Sequence, residues 1–227
     1  SAKKPVVDRM LEALPGTLAL AGTALVFTIL YALPAGILSA YNRNKWIDYV
    51  LRSLSFIGVS MPTFWLGLVL IYIFGLKLGL VPIASSRITA TGVILPAVTL
   101  AVVVGSKYMR QVRLVILEEM QKDYVIGARA RGVSEMKILF GHILPNAVLP
   151  LITILGVLIG WLLGGVAVVE MVFSWPGLGN MAIYAITMRD YPLIEGFVLW
   201  VAIAYMCINA LVDASYVLLD PRLKSCL

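Results

Sequence analysis

The sequence predicts an all-α membrane protein with about five transmembrane helices. Of its 227 residues, 61% are hydrophobic and only 13% are charged, whereas a soluble domain is nearer to half apolar and one quarter charged. Five apolar stretches are each long enough to cross about 30 Å of hydrocarbon, which takes about 20 helical residues. No stretch sustains the alternation of a transmembrane strand, so a closed barrel is not expected.

The predicted spans follow one another along the chain, and we therefore expect a single transmembrane domain over residues 1–227. They cover residues 14–40, 47–76, 94–117, 143–172 and 192–219. Pro15 suits the first turn of the first span, and Pro34 predicts a kink within it. Pro62 lies inside the second span and is the strongest candidate for a helix break.

The distribution of lysine and arginine predicts the orientation of the spans. The segments on one side hold twelve of these residues, and those on the other side hold six. The positive-inside rule places the richer side in the cytoplasm. In this multi-pass protein of the cytoplasmic (inner) membrane, the N-terminus would lie outside, and the C-terminus and residues 118–142 would lie inside. The net charge of +6 does not indicate nucleic acid, because the basic residues flank spans that contact lipid.

The sequence lacks the motifs of several enzyme classes. The sequence contains no Gly-x-x-x-x-Gly-Lys-Ser/Thr loop for ATP and no Gly-x-Ser-x-Gly nucleophile turn. Its two cysteines and its single histidine, His142, do not make a metal cage. We therefore expect no catalytic residue, no cofactor and no metal in this chain. If ATP hydrolysis drives the protein, the ATPase is another chain.

Residues 118–142 form the longest run of charged and small residues in the chain. Asp123 is a candidate N-cap and Gly132 a candidate stop for a helix of about two turns. Ser134 is a candidate cap for a second helix that would run toward Pro145. This segment is either a contact surface for something outside the membrane or an ordinary connecting loop.

The same segment resembles the signature loop of ABC importer permeases, in which Glu-Ala-Ala, three residues, Gly and nine residues precede Ile-x-Leu-Pro. Ala128 matches the second alanine, and Gly132 matches the glycine. Nine residues then lead to His142-Ile143-Leu144-Pro145. Ile126 stands in place of the glutamate, Gly127 in place of the first alanine, and His142 in place of the isoleucine.

The variant Ala-Arg-Ala-Arg-Gly-Val-Ser at 128–134 is similar to the dipeptide, oligopeptide and nickel branch of that family. Runs at 61–67, 173–179, 189–192 and 220–222 also resemble it, so the resemblance covers nearly the whole chain. The family has one more N-terminal span and an outer segment, which are absent here. Since the chain starts at Ser1, we expect that its N-terminus was processed or that upstream chain is missing.

The resemblance implies a type I ABC importer permease fold with a short cytoplasmic coupling helix, on which Tyr124, Ala128 and Arg131 would share one face. The ATPase-coupling residues would be Asp123, Tyr124, Gly127, Ala128, Arg129, Arg131, Gly132 and Ser134. The implied partners are a second related permease, two cytoplasmic ATPases that bind ATP and magnesium, and an extracytoplasmic binding protein. The expected substrate is a dipeptide or oligopeptide moved by alternating access, with nickel as the alternative. A secondary transporter acting alone is the rival from another class.

Three further patterns lie within the spans. Gly156, Gly160 and Gly164 recur at a spacing that lets helices pack closely in lipid, within this subunit or against a partner. The third span carries three cations that either snorkel toward lipid phosphates or line the cytoplasmic mouth of a pathway; they are Lys107, Arg110 and Arg113. Three acids at or within spans are candidates for function or for structural pairing; they are Glu170, Glu195 and Asp213.

Overall fold

The structure, a computed structural model, describes residues 4–85 and 87–219, apart from the side chains of 163–165 and 216–219. This part of the chain is helical and contains no β-strand, which confirms the predicted all-α class. The helices are α1 (Val6–Tyr41), α2 (Trp46–Ser60), α3 (Thr63–Leu70), α4 (Ile94–Glu119), α5 (Asp123–Ala130), α6 (Glu135–Ile138), α7 (Leu144–Gly165), α8 (Ala167–Val172), α9 (Leu178–Met188) and α10 (Tyr191–Leu219). Two π-helical segments, Ile71–Lys77 and Leu139–Ile143, follow α3 and α6 directly.

Fewer helices qualify as membrane spans in the structure than the five that the sequence predicts. By length and composition alone, the described residues contain three, Val6–Tyr41, Glu135–Leu162 and Tyr191–Ser215, or up to four if one bent pair is counted as a single span. The predicted third span is the continuous helix α4, with 26 residues, but it carries several charges and is not among them.

The predicted second span is not a straight helix. It is divided at Met61-Pro62 into α2 and Thr63–Lys77, which are bent by 101° relative to each other. Pro62 has no N–H to donate, and its ring excludes the helical conformation at the residue before it. Met61 accordingly has extended backbone angles, φ −78° and ψ 129°. Pro62 was the expected break, but the size of the bend was not expected.

Two other predicted boundaries are also wrong. Helix α1 begins at Val6, eight residues before the predicted start, so Pro15 lies in the helix interior and not in its first turn. The predicted fourth span, 143–172, is divided after Gly165 into α7 and the short α8. A run of apolar residues reveals that a segment avoids water, but it does not reveal where the backbone turns inside that run.

Helix α4 packs against α1, α2, α3, α7 and α8 and takes part in both buried apolar clusters. Its first half contributes Leu100 and Val104 to one buried apolar cluster, together with Leu20 of α1 and Leu162 of α7. Its second half contributes residues to another cluster, which also includes parts of α1, α5 and α7; these residues are Tyr108, Val112 and Ile116. Because α4 is shared by both clusters, a shift of α4 would disturb packing at both ends of the bundle.

The glycine stripe of α7 lies against α10. A β-carbon on Gly156 would lie 2.1 Å from a methyl group of Val212, and one on Gly160 would lie 2.5 Å from the ring of Tyr205. The surroundings of Gly164 lie outside the described residues. At the two described positions, a hydrogen atom is all that the spacing between these helices can accept.

Replacing Gly160 with leucine should therefore push α7 and α10 apart and lower the thermal unfolding midpoint of the purified protein in detergent. Overpacking of this kind costs about 1–3 kcal/mol. The matched control is Gly22→Leu on α1, where a β-carbon would meet nothing within 4 Å. Equal unfolding midpoints for the two variants would show that Gly160 is not a packing residue.

Candidate functional site

The polar segment between α4 and α7 contains the predicted short helix. It is α5, which begins at Asp123 and ends at Ala130, so the prediction of about two turns is accurate. The predicted N-cap is wrong by one residue, since the cap position is Lys122 and no side chain caps the helix. Asp123 is instead the first helical residue, where its negative charge is favourable to the helix dipole.

Gly132 ends this helix as predicted, with φ +76°. The N–H of Gly132 donates to the carbonyl of Arg129 at 2.9 Å, and the N–H of Val133 donates to that of Ala128 at 3.2 Å. This pair of bonds is a Schellman motif, which requires a left-handed residue at the position of Gly132. The segment therefore has a defined exit and is not a loose loop.

The inner face of α5 is buried against the second apolar cluster. Val125 and Ala128 are 0% and 1% exposed and pack with Ile116 and Ile138. Tyr124, Ala128 and Arg131 were predicted to share one face, but Ala128 points into the protein while Arg131 is exposed beyond the last turn. The spacing identified a shared face but not the direction in which it points.

Tyr124 anchors the start of α5. Its hydroxyl donates to the carboxylate of Glu119 at 2.7 Å, and Lys122 donates to the other oxygen of that carboxylate. Burial and the neighbouring carboxylate raise the pKa of Tyr124 to about 12. The phenol is therefore neutral throughout the physiological pH range and remains a hydrogen-bond donor.

The outer face of α5 is small and partly apolar. Ile126 is 55% exposed, and Asp123 and Ala130 are exposed beside it. Gly127 is half-buried and has no side chain. A flat, accessible face with one branched apolar residue at its centre can accept a partner surface.

Arg129 is already engaged within the chain. Its guanidinium donates two bonds to the carboxylate of Glu135, at 2.7 and 3.1 Å. This fork joins α5 to α6 across the turn that contains Ser134, which occupies the predicted cap position without a side-chain cap bond. The second predicted helix runs toward Pro145 as expected and continues beyond it. Residues Glu135–Leu162 continue as one helical unit into the membrane span.

A buried ion pair joins three helices near α5. Arg113 of α4 donates two bonds to Asp48 of α2, both at 2.8 Å, and Asp48 is 0% exposed. The hydroxyl of Ser39 on α1 donates to the same carboxylate at 2.6 Å, and the N–H of Asn44 donates at 3.0 Å. The sequence analysis missed Asp48, although an acid inside an apolar span was the available signal.

A second buried carboxylate, Glu170 of α8, organises the other end of the bundle. It is 0% exposed and accepts bonds from the hydroxyl of Thr17 at 2.7 Å and from the N–H of Asn180 at 2.9 Å. Beside it, the indole of Trp175 donates to the carbonyl of Gly16 at 2.8 Å. Glu170 thus satisfies the first turn of α9 and ties it to α1. The other two predicted acids, Glu195 and Asp213, are exposed.

Long apolar helices with one short helix packed against the end of the bundle make this a helical membrane protein, and the comparisons with known proteins identify its family. The chain belongs to the family of binding-protein-dependent transport system inner membrane components, whose family model matches residues 32–225. It is therefore a permease subunit of an ABC importer and not an enzyme, as the sequence predicted.

The relatives and the similar structures agree with this assignment. The glutathione transport system permease protein GsiC of Escherichia coli is 36% identical over 222 residues, which is 98% of this chain and 72% of that protein. The GsiC of Shigella boydii matches equally well. The fold resembles an inward-facing MetNI methionine ABC transporter, with a TM-score of 0.80, 20% identity and coverage of 96% and 99% of the two chains. The fold also resembles an amino acid ABC transporter, with a TM-score of 0.71, 18% identity and coverage of 92% of each chain.

Replacing Asp48 with alanine should lower stability by about 1–3 kcal/mol, because Ser39, Asn44 and the half-buried guanidinium of Arg113 would lose their common acceptor. The double variant Asp48→Leu with Arg113→Met should recover much of this loss, since it removes both charges. The measurement is the thermal unfolding midpoint in detergent, with the exposed acid variant Asp123→Ala as the control. A single variant that unfolds like the wild type would rule out a structural role for the pair.

Proposed function

We propose that this chain pairs with a second, homologous permease to import a peptide across the cytoplasmic membrane by alternating access. Two cytoplasmic ATPases would bind ATP and magnesium and supply the energy, and an extracytoplasmic binding protein would deliver the substrate. The name of the relative GsiC refers to glutathione, which is a peptide, and this favours peptide over nickel. The broken helix at Pro62 would also suit a secondary transporter, but the family favours an importer.

The observation that supports this proposal is the structure of α5, whose inner face is buried and whose outer face is exposed. Its inner face, with Val125 and Ala128, is buried against α4, α6 and α7, while its outer face presents Ile126. A force applied to the outer face would therefore reach three helices through direct packing. This is the behaviour that a coupling helix between an ATPase and a permease needs.

The fork between Arg129 and Glu135 refines the assignment of the coupling residues. Arg129 holds α5 and α6 together and is not available as a free fork for an ATPase. Arg131 is exposed just beyond the helix and remains a candidate contact. The residues that would touch the ATPase are therefore Asp123, Ile126, Gly127, Ala130 and Arg131, whereas Tyr124, Ala128 and Gly132 would hold α5 in place. Ser134 is exposed at the start of α6 and also remains a candidate contact.

The proposed orientation follows from the distribution of charges. In a background with Cys207→Ser and Cys226→Ser, cysteines at Lys45 and Ser134 should react with a membrane-impermeant maleimide only from the cytoplasmic side. A cysteine at Ala90, which is exposed in the α3–α4 connection, should react only from outside. The measurement is labelling of intact cells compared with inverted vesicles. The reverse pattern would contradict the orientation and the coupling role of α5 together.

The coupling role predicts different outcomes for two neighbouring substitutions. Ile126→Glu should leave insertion and permease pairing intact, because the side chain is exposed, but it should lower substrate uptake in proteoliposomes at least about tenfold, equivalent to about 1.4 kcal/mol. Ala128→Trp should instead reduce the yield of folded protein, because the larger side chain has no space in the buried cluster.

The control for Ile126→Glu is the same change at Ile88, which is 49% exposed and lies far from α5 in sequence. Ile88→Glu should transport normally. Wild-type uptake by Ile126→Glu, with normal recovery of the ATPase on purification, would show that the outer face of α5 is not the coupling surface.

A further inference from the structure

Two cations on α4, Lys107 and Arg110, have no acidic partner among the residues that the structure describes, and we call them the cationic pair. Both side chains are exposed. The amine of Lys107 lies 5.4 Å from the centre of the Trp161 ring, and the guanidinium of Arg110 lies 5.3 Å from that of Phe56. Arg113, the third cation on this helix, is instead half-buried and paired with Asp48.

The cationic pair falls within the third span that the sequence predicts, residues 94–117. A hydrocarbon layer of about 30 Å is crossed by about 20 helical residues. A crossing that starts at Ile94, the first residue of α4, therefore ends near residue 114. Lys107 and Arg110 both fall inside it.

Both side chains reach back toward the start of α4, away from the end that carries α5. Trp161 precedes Leu162, which packs in the cluster that contains Leu100 and Val104, so the amine of Lys107 lies on that side. Helical side chains lean toward the N-terminus of their helix, which explains this direction. The amine of Lys107 therefore lies nearer to the middle of α4 than the backbone of Lys107 does.

The ring of Phe56, against which the guanidinium of Arg110 packs, also lies on the side of Arg110 that faces the start of α4. Phe56 follows Ser55, whose hydroxyl donates to the carbonyl of Ser106 at 2.7 Å, one turn before Arg110. Snorkelling to lipid phosphates near the α5 end would require both side chains to point the opposite way. Charges at membrane depth without a counter-charge normally face a water-filled cavity and mark a substrate or ion pathway.

We propose that Lys107 and Arg110 form a carboxylate-recognition site in the translocation pathway, so that the imported solutes are those that carry a free carboxylate. This rests on the proposed import function, and it adds a chemical requirement that the permease itself imposes. Ammonium and guanidinium groups both bind carboxylates, and the flanking aromatic rings hold the two cations in place without neutralising them. Contact with two exposed cations is also weak enough to let the solute leave.

The first experiment measures anion attraction without any substrate. Leu114 is 56% exposed, one turn after Arg110, and Leu114→Cys is introduced with Cys207→Ser and Cys226→Ser in the assembled importer. The probes are an anionic sulfonatoethyl and a cationic trimethylammonioethyl methanethiosulfonate. The anionic reagent should be favoured about tenfold, relative to the same ratio for a free thiol, because the local positive potential concentrates anions.

Neutralising the cationic pair with Lys107→Gln and Arg110→Gln should abolish that preference, whereas Lys107→Arg should keep it. The matched control is Lys77→Gln, which removes a cation that lies 5.2 Å from the Tyr72 ring at another place in the chain. Lys77→Gln should leave the preference unchanged. No reaction with either reagent, as expected if the face is covered by lipid or by the second permease, would overturn the proposal, and so would a preference that survives neutralisation.

The second experiment measures uptake of glutathione by the same proteoliposomes. Neutralising the cationic pair should reduce uptake at least about tenfold, with permease pairing and ATPase recovery unchanged, and uptake that is not reduced would overturn the proposal. If the wild type takes up neither glutathione nor a dipeptide and an oligopeptide tested beside it, the proposed peptide substrate is wrong. In that case, the thiol-labelling measurement still tests the carboxylate site. Failure of the carboxylate site and failure of the proposed peptide substrate are therefore distinguishable.

Discussion

The arrangement of helices around α5 depends on one interaction, the ion pair between Asp48 and Arg113. Removing two charges from water is costly, and the cost is offset only when geometry and additional hydrogen bonds satisfy both groups. Here, the hydroxyl of Ser39 and the backbone N–H of Asn44 donate further hydrogen bonds to the carboxylate of Asp48. Since these groups come from α1, α2 and α4, their relative positions are fixed at the point where α5 packs. The ion pair therefore defines a specific platform more than it adds stability.

At the opposite end of the bundle, a second buried carboxylate, Glu170, satisfies backbone groups that would otherwise lack hydrogen-bond partners. A helix that starts inside the protein has backbone N–H groups without partners, and apolar surroundings make them costly. Glu170 accepts one of these at the start of α9, while Thr17 and Trp175 tie the same region to α1. Both ends are thus held by satisfied polar groups. Between them lies the break at Pro62, so rigid ends flank the position where the backbone bends.

The sequence predicted the class and the existence of α5 from its composition and from local signals such as Gly132, and it predicted the family from its resemblance to known permeases. It did not predict the direction of Ala128, the partner of Arg129 or the importance of Asp48. Each of these depends on which helix lies opposite, and one periodic pattern fits several arrangements. The predicted cap at Asp123 failed for a different reason, since Tyr124 and Lys122 anchor the helix start through Glu119 instead.

The three cations of α4 illustrate this limit most clearly. Lys107, Arg110 and Arg113 are spaced three residues apart and look equivalent in the sequence. In the structure, Arg113 faces an acid on α2 and becomes half-buried, whereas the other two lie against aromatic rings and stay exposed. An aromatic face attracts a cation but leaves its charge intact. The same residue type therefore fixes the fold where a carboxylate lies opposite, and remains available to a ligand where a ring lies opposite.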